Sequence, residues 1–289
     1  MQIIDGKKIA DEILQKAKTR IAKQQLSPRL DIIFVGENQA SATYVVKKQE
    51  AGKKVGVAVT VHKFSQISEA ELTKLVLELN QDDKVNGIVI QLPVPNLSKK
   101  NKVFEQISLQ KDVDGLNPLT QGKLWVNGDV RLLPATTWAI SEVIHRIERA
   151  LDHDFDTVET LKKHVVIINR SILIGKPLAA LLLLYNYTVT IAHSETRNLA
   201  ELANKADILV SATGKADFIT ADMVKKGAIV IDASFTKEDG KIYGDVNPDT
   251  IAGKASWLCP VPNGIGPIGV AMLINNSAYA AAYQKTPNL

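Results

Sequence analysis

Asn169, Arg170 and Ser171 interrupt a stretch that is apolar on both sides. Before them runs Val165 to Ile168, with the character of a parallel strand buried on both faces; after them Gly175 and Pro177 lead into Leu178-Ala179-Ala180-Leu181-Leu182-Leu183. The second run reads as a helix with proline in its first turn, where a missing N–H costs nothing. Strand, tight turn and helix start bring backbone N–H groups and the positive end of a helix dipole to one point, and the chemistry this suits is anion binding, a pyrophosphate above all. The pattern G-x-G-x-x-G is not literally present, because Asn169 and Ser171 stand at its first two glycine positions; alone, the stretch reads equally as a buried βα unit. Downstream, Thr188 to Ala192 reads as a second strand that ends in His193-Ser194-Glu195-Thr196-Arg197. That end falls roughly 20 residues after the turn, where such folds select the adenosine ribose. An acidic residue there favours the free 2′-hydroxyl of NAD, whereas Ser194 and Arg197, with Arg170 nearby, suit the 2′-phosphate of NADP.

A second group of reactive side chains lies in the first half of the chain. Tyr44 and Lys48 are one helical turn apart on the predicted helix Ser41 to Val55 and project from the same face. Gln91 closes the predicted strand GIVIQL, which Pro93-Val94-Pro95 terminates. Asp114 belongs to the charged turn Lys111-Asp112-Val113-Asp114-Gly115, placed to face the same sheet end. Taken singly, each has a plain structural reading: a solvated lysine, a half-buried packing tyrosine, a strand-end amide and a routine Asp-Gly turn. His193 is given no proton transfer, and no His, Cys, Asp and Glu cluster has metal-ligand spacing.

The elements that position these residues alternate strand and helix throughout, which predicts an α/β fold with parallel sheets. Predicted strands cover Leu30–Val35, Val57–Val61 and Gly87–Leu92, then Val165–Ile168, Thr188–Ala192, Asp207–Ser211, Ala228–Asp232 and Trp257–Cys259. Predicted helices cover Gly6–Gln25, Ser41–Val55, Leu72–Leu79 after the capping box Ser68-Glu69-Ala70-Glu71, Asn101–Ile107, Thr136–Ala150 and Val270–Tyr283. Pro260 to Pro267 reads as a rigid glycine–proline loop. The division is residues 1–135 as an N-terminal domain, 136–269 as a Rossmann-like domain, and 270–289 as a helix returning to the first. A composition of 45% hydrophobic and 23% charged residues is that of a globular protein. The net charge of +4 comes without a basic block or interleaved aromatics, so nucleic acid is not an expected partner. One cysteine, Cys259, excludes an internal disulfide and fits the cytoplasm; no apolar run reaches the roughly 18 residues of a membrane span, and the N-terminus lacks a signal-peptide core.

Seven motifs in one order then resemble the bifunctional methylenetetrahydrofolate dehydrogenase/cyclohydrolase family, the FolD type. They are SxxYVxxK at Ser41–Lys48, QLPxP at Gln91–Pro95, KDVDG at Lys111–Gly115, RSxxxGxP at Arg170–Pro177, HSxT at His193–Thr196, GDV at Gly244–Val246 and PVPxGxGP at Pro260–Pro267. The resemblance implies a cytoplasmic homodimer, joined through its nucleotide-binding domain, that works on the one-carbon bridge of tetrahydrofolate and supplies purine biosynthesis. A dehydrogenase step passes a hydride from the methylene bridge to NADP, with NAD an option; a cyclohydrolase step adds water to the methenyl cation and opens it to 10-formyltetrahydrofolate. It implies Lys48 as the group that accepts and returns a proton, Gln91 as its holder, Tyr44 as orienting lysine or pterin, and Asp114 as accepting pterin N–H groups. Folate contacts extend to Leu92, Pro93, Pro262, Gly264, Gly266 and Pro267. Cofactor contacts are implied for Thr136, Asn169, Arg170, Ser171, Gly175, Pro177, His193, Ser194, Arg197, Ala212, Thr213, Gly214, Ala233 and Ser234.

Departures from the family pattern gather around the nucleotide. PCTP reads Pro134-Ala135-Thr136-Thr137, GRS reads Asn169-Arg170-Ser171, VIDVG reads Ile231-Asp232-Ala233-Ser234, and PGGVGPMT reads Pro262-Asn263-Gly264-Ile265-Gly266-Pro267-Ile268-Gly269. Asparagine tolerates a left-handed backbone, so Asn169 is expected to keep the turn while its side chain crowds the pyrophosphate. Ser234 is expected to crowd the cofactor and Gly269 to remove a hydroxyl contact. Two alternatives follow: a cyclohydrolase with weak, NAD-shifted or lost dehydrogenase activity, and a folate- or nucleotide-binding regulator without catalysis. A third, a shikimate- or amino-acid-type dehydrogenase, is disfavoured by QLPVP and KDVDG.

Overall fold

The computed structural model describes residues 1–95, 97, 100–126, 130–151, 163–238 and 241–286. In chain order the elements are β1 Gln2–Ile3, α1 Gly6–Gln24, β2 Arg29–Val35, α2 Gln39–Val55, β3 Ala58–Phe64, α3 Glu69–Gln81, β4 Gly87–Gln91, α4 Lys100–Phe104, α5 Pro118–Trp125 and α6 Ala135–Leu151. There follow β5 His164–Ile168, α7 Gly175–Leu184, β6 Thr188–Ala192, α8 Leu199–Ala203, β7 Ile208–Ser211, a 3-10 turn Ala221–Met223, β8 Ile229–Asp232, β9 Thr236–Glu238, β10 Lys241–Tyr243, α9 Pro248–Ile251, β11 Trp257–Cys259 and α10 Ile265–Lys285.

The chain divides into two compact units. One comprises Ala10–Ala135 with Val270–Leu289. Its core sheet is parallel, ordered β3-β2-β4, with Phe34 opposite Gln91 in register. β2 and β4 are buried almost throughout, as their continuous apolar runs require. Helix α3 starts in the expected capping box, Ser68 with Glu71. The C-terminal helix belongs to this unit from Val270 onwards: Asn276 donates to the carbonyls of Val113 and Leu133 at 2.8 and 2.9 Å, and Arg20 of α1 reaches the Asn275 side chain at 2.7 Å.

The other unit comprises Met1–Ile9 and Thr136–Gly269. Its six-stranded sheet runs β1-β11-β8-β7-β5-β6 and is parallel at every pairing. From β5 the chain passes through α7 to β6 on one side and then through α8 to β7 on the other, so the topological switch point lies between β5 and β7. An apolar core of Val166, Leu209, Val230 and Leu258 packs beneath it.

Three expectations change. Met1–Ile9 cluster with this second unit, because Gln2 and Ile3 pair with Trp257 and Leu258 of β11. The loop expected at Pro260–Pro267 is shorter, since α10 begins at Ile265 and Gly266 and Pro267 lie in its first turn, where proline loses no hydrogen bond. The predicted helix Asn101–Ile107 is the short α4.

Candidate active site

In the first unit Ser41, Tyr44 and Lys48 share one face of α2, whose N-terminus is capped by Asn38 accepting from the Ser41 N–H. Two turns of that face reach the end of β4. Ser41 Oγ donates to the Leu92 carbonyl at 3.0 Å, and Lys48 Nζ donates to Gln91 Oε1 at 2.8 Å. Gln91 Nε2 donates to the same Leu92 carbonyl at 3.1 Å, which fixes the amide so that its oxygen faces the lysine. Lys48 and Asp114 are half-buried and each feels the other's charge. Burial pulls the Lys48 amine below its usual value, and the Asp114 carboxylate opposes that pull. Burial lifts Asp114 above the usual carboxylate value, against the attraction of Lys48. Burial also raises the Tyr44 phenol, so its hydroxyl stays neutral. The arrangement holds an amine of reduced basicity, fixed by a neutral amide, beside a carboxylate.

The rest of the KDVDG turn is scaffold, a role not readable from sequence. Lys111 Nζ donates to the carbonyls of Leu79, Asn80 and Asp82 and so closes the C-terminus of α3. Asp112 is buried and accepts from the N–H groups of Leu116 and Asn117 and from Thr120 Oγ1 at 3.0, 3.0 and 2.8 Å, anchoring the start of α5. Of the two carboxylates in this motif, Asp114 is the one near Lys48.

In the second unit the turn after β5 is organised by Asn169. Its Oδ1 accepts from Ser171 N–H at 2.8 Å, Ser171 Oγ at 2.7 Å and Gly175 N–H at 3.0 Å, while its Nδ2 donates to the Ala212 carbonyl at 2.7 Å. The carboxamide thus ties the end of β5 to the end of β7 across the switch point. Asn169 is not in a left-handed conformation, contrary to expectation; the asparagine that replaces such a glycine is Asn263, at φ 73°. Gly175 packs so closely that a Cβ would lie 1.9 Å from the Asn169 carbonyl oxygen, which accounts for glycine there. Arg170 is exposed beside this turn, and Pro177 is buried in the first turn of α7.

Ser234 does not project freely, as the crowding argument assumed. Its hydroxyl donates to Asp232 Oδ1 at 2.7 Å and accepts from Asp245 N–H at 2.9 Å. Asp232 and Asp245 are both fully buried. Asp245 accepts from Ser211 Oγ and from the N–H groups of Thr213 and Lys215, so it holds the Ala212-Thr213-Gly214 segment; Asp232 accepts from Ser234 and Val246 N–H. The GDV motif is explained here: a Cβ on Gly244 would lie 2.0 Å from Asp232 Oδ2. Gly269 leaves open space, with only Thr136 Oγ1 near the place of a Cβ, at 3.9 Å. Gly264 has Pro260 and Cys259 against it, next to exposed Pro262 and Asn263. Ala233 follows β8 and bonds back to the Ser211 carbonyl at 2.8 Å.

After β6, His193 and Thr196 close a turn in which Thr196 Oγ1 accepts from His193 N–H at 2.9 Å and Glu195 N–H reaches His193 Nδ1 at 3.2 Å. Ser194, Glu195 and Arg197 are exposed. The Ser194 hydroxyl points to Glu195 Oε1 at 3.1 Å, a partner the sequence reading passed over.

The comparisons with known proteins agree along the length of the chain. The family signature described as "Tetrahydrofolate dehydrogenase/cyclohydrolase, catalytic domain" matches residues 4–114, and that described as "Tetrahydrofolate dehydrogenase/cyclohydrolase, NAD(P)-binding domain" matches residues 134–285. The "Bifunctional protein FolD" of Lactobacillus gasseri is 42% identical over 280 residues, 96% of each chain. The crystal structure of the bifunctional FolD enzyme from Campylobacter jejuni superposes with a TM-score of 0.90 at 34% identity, covering 98% of this chain and 99% of that one. That of Trypanosoma brucei FolD, complexed with NADP cofactor and inhibitor, has a TM-score of 0.90 at 29% identity, covering 98% of each chain. With the Tyr44–Lys48–Gln91 face, Asp114 and the β5 turn in place, this chain belongs to the tetrahydrofolate dehydrogenase/cyclohydrolase family.

Proposed function

We propose that this chain oxidises 5,10-methylenetetrahydrofolate to 5,10-methenyltetrahydrofolate with NADP and hydrolyses the product to 10-formyltetrahydrofolate, in one-carbon folate metabolism. The observation that carries the reading is Lys48 held at 2.8 Å by Gln91, its basicity lowered by burial and partly restored by Asp114. An amine in that state takes a proton from the water that adds to the methenyl carbon, and returns it to the ring nitrogen as the C–N bond breaks. Gln91 keeps the amine in place, neutral Tyr44 orients it or lies along the pterin, and Asp114 accepts hydrogen bonds from the pterin amino and ring N–H groups.

The residues of the second unit fit a dinucleotide. Gly175 permits the close approach of turn and helix, Ser171 and Arg170 stand at the end of β5, and Thr213-Gly214 stand at the end of β7, on either side of the switch point. NADP, when bound, supplies the acceptor for the hydride that leaves the methylene carbon. Arg170, Ser194 and Arg197 are the groups that hold its 2′-phosphate. A second reading, a cyclohydrolase with weakened dehydrogenase activity, is favoured by Asn169, whose carboxamide already occupies the Ser171 and Gly175 N–H groups.

A homodimer joined through the nucleotide-binding unit is supported by the position of β6 at the sheet edge and by exposed Leu183, Leu184 and Tyr185 at the end of α7. Light scattering with size exclusion tests it. Residence in the cytoplasm fits the single buried Cys259. The activity is tested by paired assays on one sample, NADP reduction with methylenetetrahydrofolate and loss of methenyltetrahydrofolate absorbance. Lys48→Ala should lower hydrolysis by about 10²–10⁴-fold; unchanged hydrolysis would remove the catalytic reading and leave a folate-binding regulator.

A further inference from the structure

We infer that Glu195 is a specificity-determining residue that weakens the hold on the 2′-phosphate of NADP and lets NAD bind at the same place. The inference rests on the assignment of the loop after β6 to the adenosine ribose. Three observations carry it. Glu195 is the third residue after β6, in the loop at the strand end where a carboxylate in this type of sheet accepts from a ribose 2′-hydroxyl. The Ser194 hydroxyl, which would otherwise donate to a 2′-phosphate, donates instead to Glu195 Oε1 at 3.1 Å. The Glu195 backbone is itself fixed by its N–H on His193 Nδ1 at 3.2 Å, in a turn that Thr196 closes, so the carboxylate is kept beside Ser194.

A phosphate dianion brought to Ser194 therefore meets a competing acceptor and a like charge, offset by exposed Arg170 and Arg197. A ribose diol meets no such opposition, and its hydroxyl finds an acceptor in Glu195. The loop carries both an NADP signal and an NAD signal, and Glu195 sets the balance between them.

The test is direct calorimetric titration of NADP and of NAD into the full chain, into Glu195→Gln and into Glu195→Lys. Glu195→Gln should bind NADP about five- to tenfold more tightly and NAD two- to fivefold more weakly; Glu195→Lys should tighten NADP further, by an amount that shrinks as salt is raised. Opposite movement of the two nucleotides is the signature, because a mere disturbance of the turn would move both the same way. NADP affinity within twofold of the parent in both variants, or the two nucleotides moving together, overturns the inference while leaving the dehydrogenase reading intact. Absence of binding by either nucleotide in all three proteins overturns the inference and the dehydrogenase reading together, with cyclohydrolase turnover reporting that the chain is folded.

Discussion

Lys48 on α2 and Gln91 at the end of β4 meet at 2.8 Å, and the amide that receives the lysine is held in turn by the Leu92 carbonyl. Asp114 acts on the same amine through its charge, raising a basicity that burial lowers. Replacing Asp114 by Asn removes the opposing charge, so the Lys48 amine loses its proton at lower pH. The limb of the cyclohydrolase pH–rate profile that reports the free amine should therefore move to lower pH, together with a raised KM for the folate. A limb that stays in place, or moves to higher pH, would show that Asp114 does not act on Lys48.

Asn169→Gly separates two effects that the parent residue combines. Loss of the Oδ1 acceptor frees the Ser171 and Gly175 N–H groups for a diphosphate, so NADP should bind about three- to tenfold more tightly. Loss of the same acceptor and of the tie to Ala212 should cost about 1 kcal/mol, a fall in Tm of about 2–4 °C. Calorimetry and thermal unfolding of one sample check both, and weaker NADP binding in the variant would contradict the occupancy argument.

Asp112 couples stability to pH. Burial pushes its carboxyl up from 3.8 to about 6, against the hydrogen bonds from Asn117, Thr120 and Leu116. The folded chain thus binds this proton more tightly than the unfolded chain, and the stabilisation is complete below pH about 4 and lost as pH rises through about 6. The stability gap between the parent and Asp112→Asn should narrow across that window by about 2–3 kcal/mol. Urea unfolding of both proteins at pH 4, 5, 6 and 7 measures it; parallel curves would rule it out.

Asn263 holds a left-handed backbone at φ 73°. Asn263→Gly should leave Tm within about 1 °C, whereas Asn263→Ala should lower stability by about 1 kcal/mol, because a Cβ without a polar side chain is disfavoured there. Equal stability of the two variants would place the strain elsewhere.

The strands of the two parallel sheets other than β1 were legible as short apolar-rich runs bounded by turn residues, and SxxYVxxK was legible as a face because its spacing is helical. β1 was not legible. It is two exposed residues, Gln2 and Ile3, whose strand character comes entirely from β11. Asp112, Asp232 and Asp245 were illegible for another reason: a carboxylate that gathers distant N–H groups leaves no periodic trace, and only the contact between Gly244 and Asp232 reveals why GDV is spelled as it is. Asn169 misled because a glycine can be present for its backbone angle or for its lack of a side chain. Here its replacement kept an ordinary angle and put the side chain to use.

The pairing of β1 with β11, and the return of α10 from Val270 onwards to the unit that begins at Ala10, mean that neither unit is a continuous stretch of sequence. Each is completed by residues near the far end of the chain. A single cut at any position therefore cannot release either unit whole, and a gene carrying only one half would encode neither. The two units therefore have to be encoded and made as one chain, although point changes within one of them can still alter it alone.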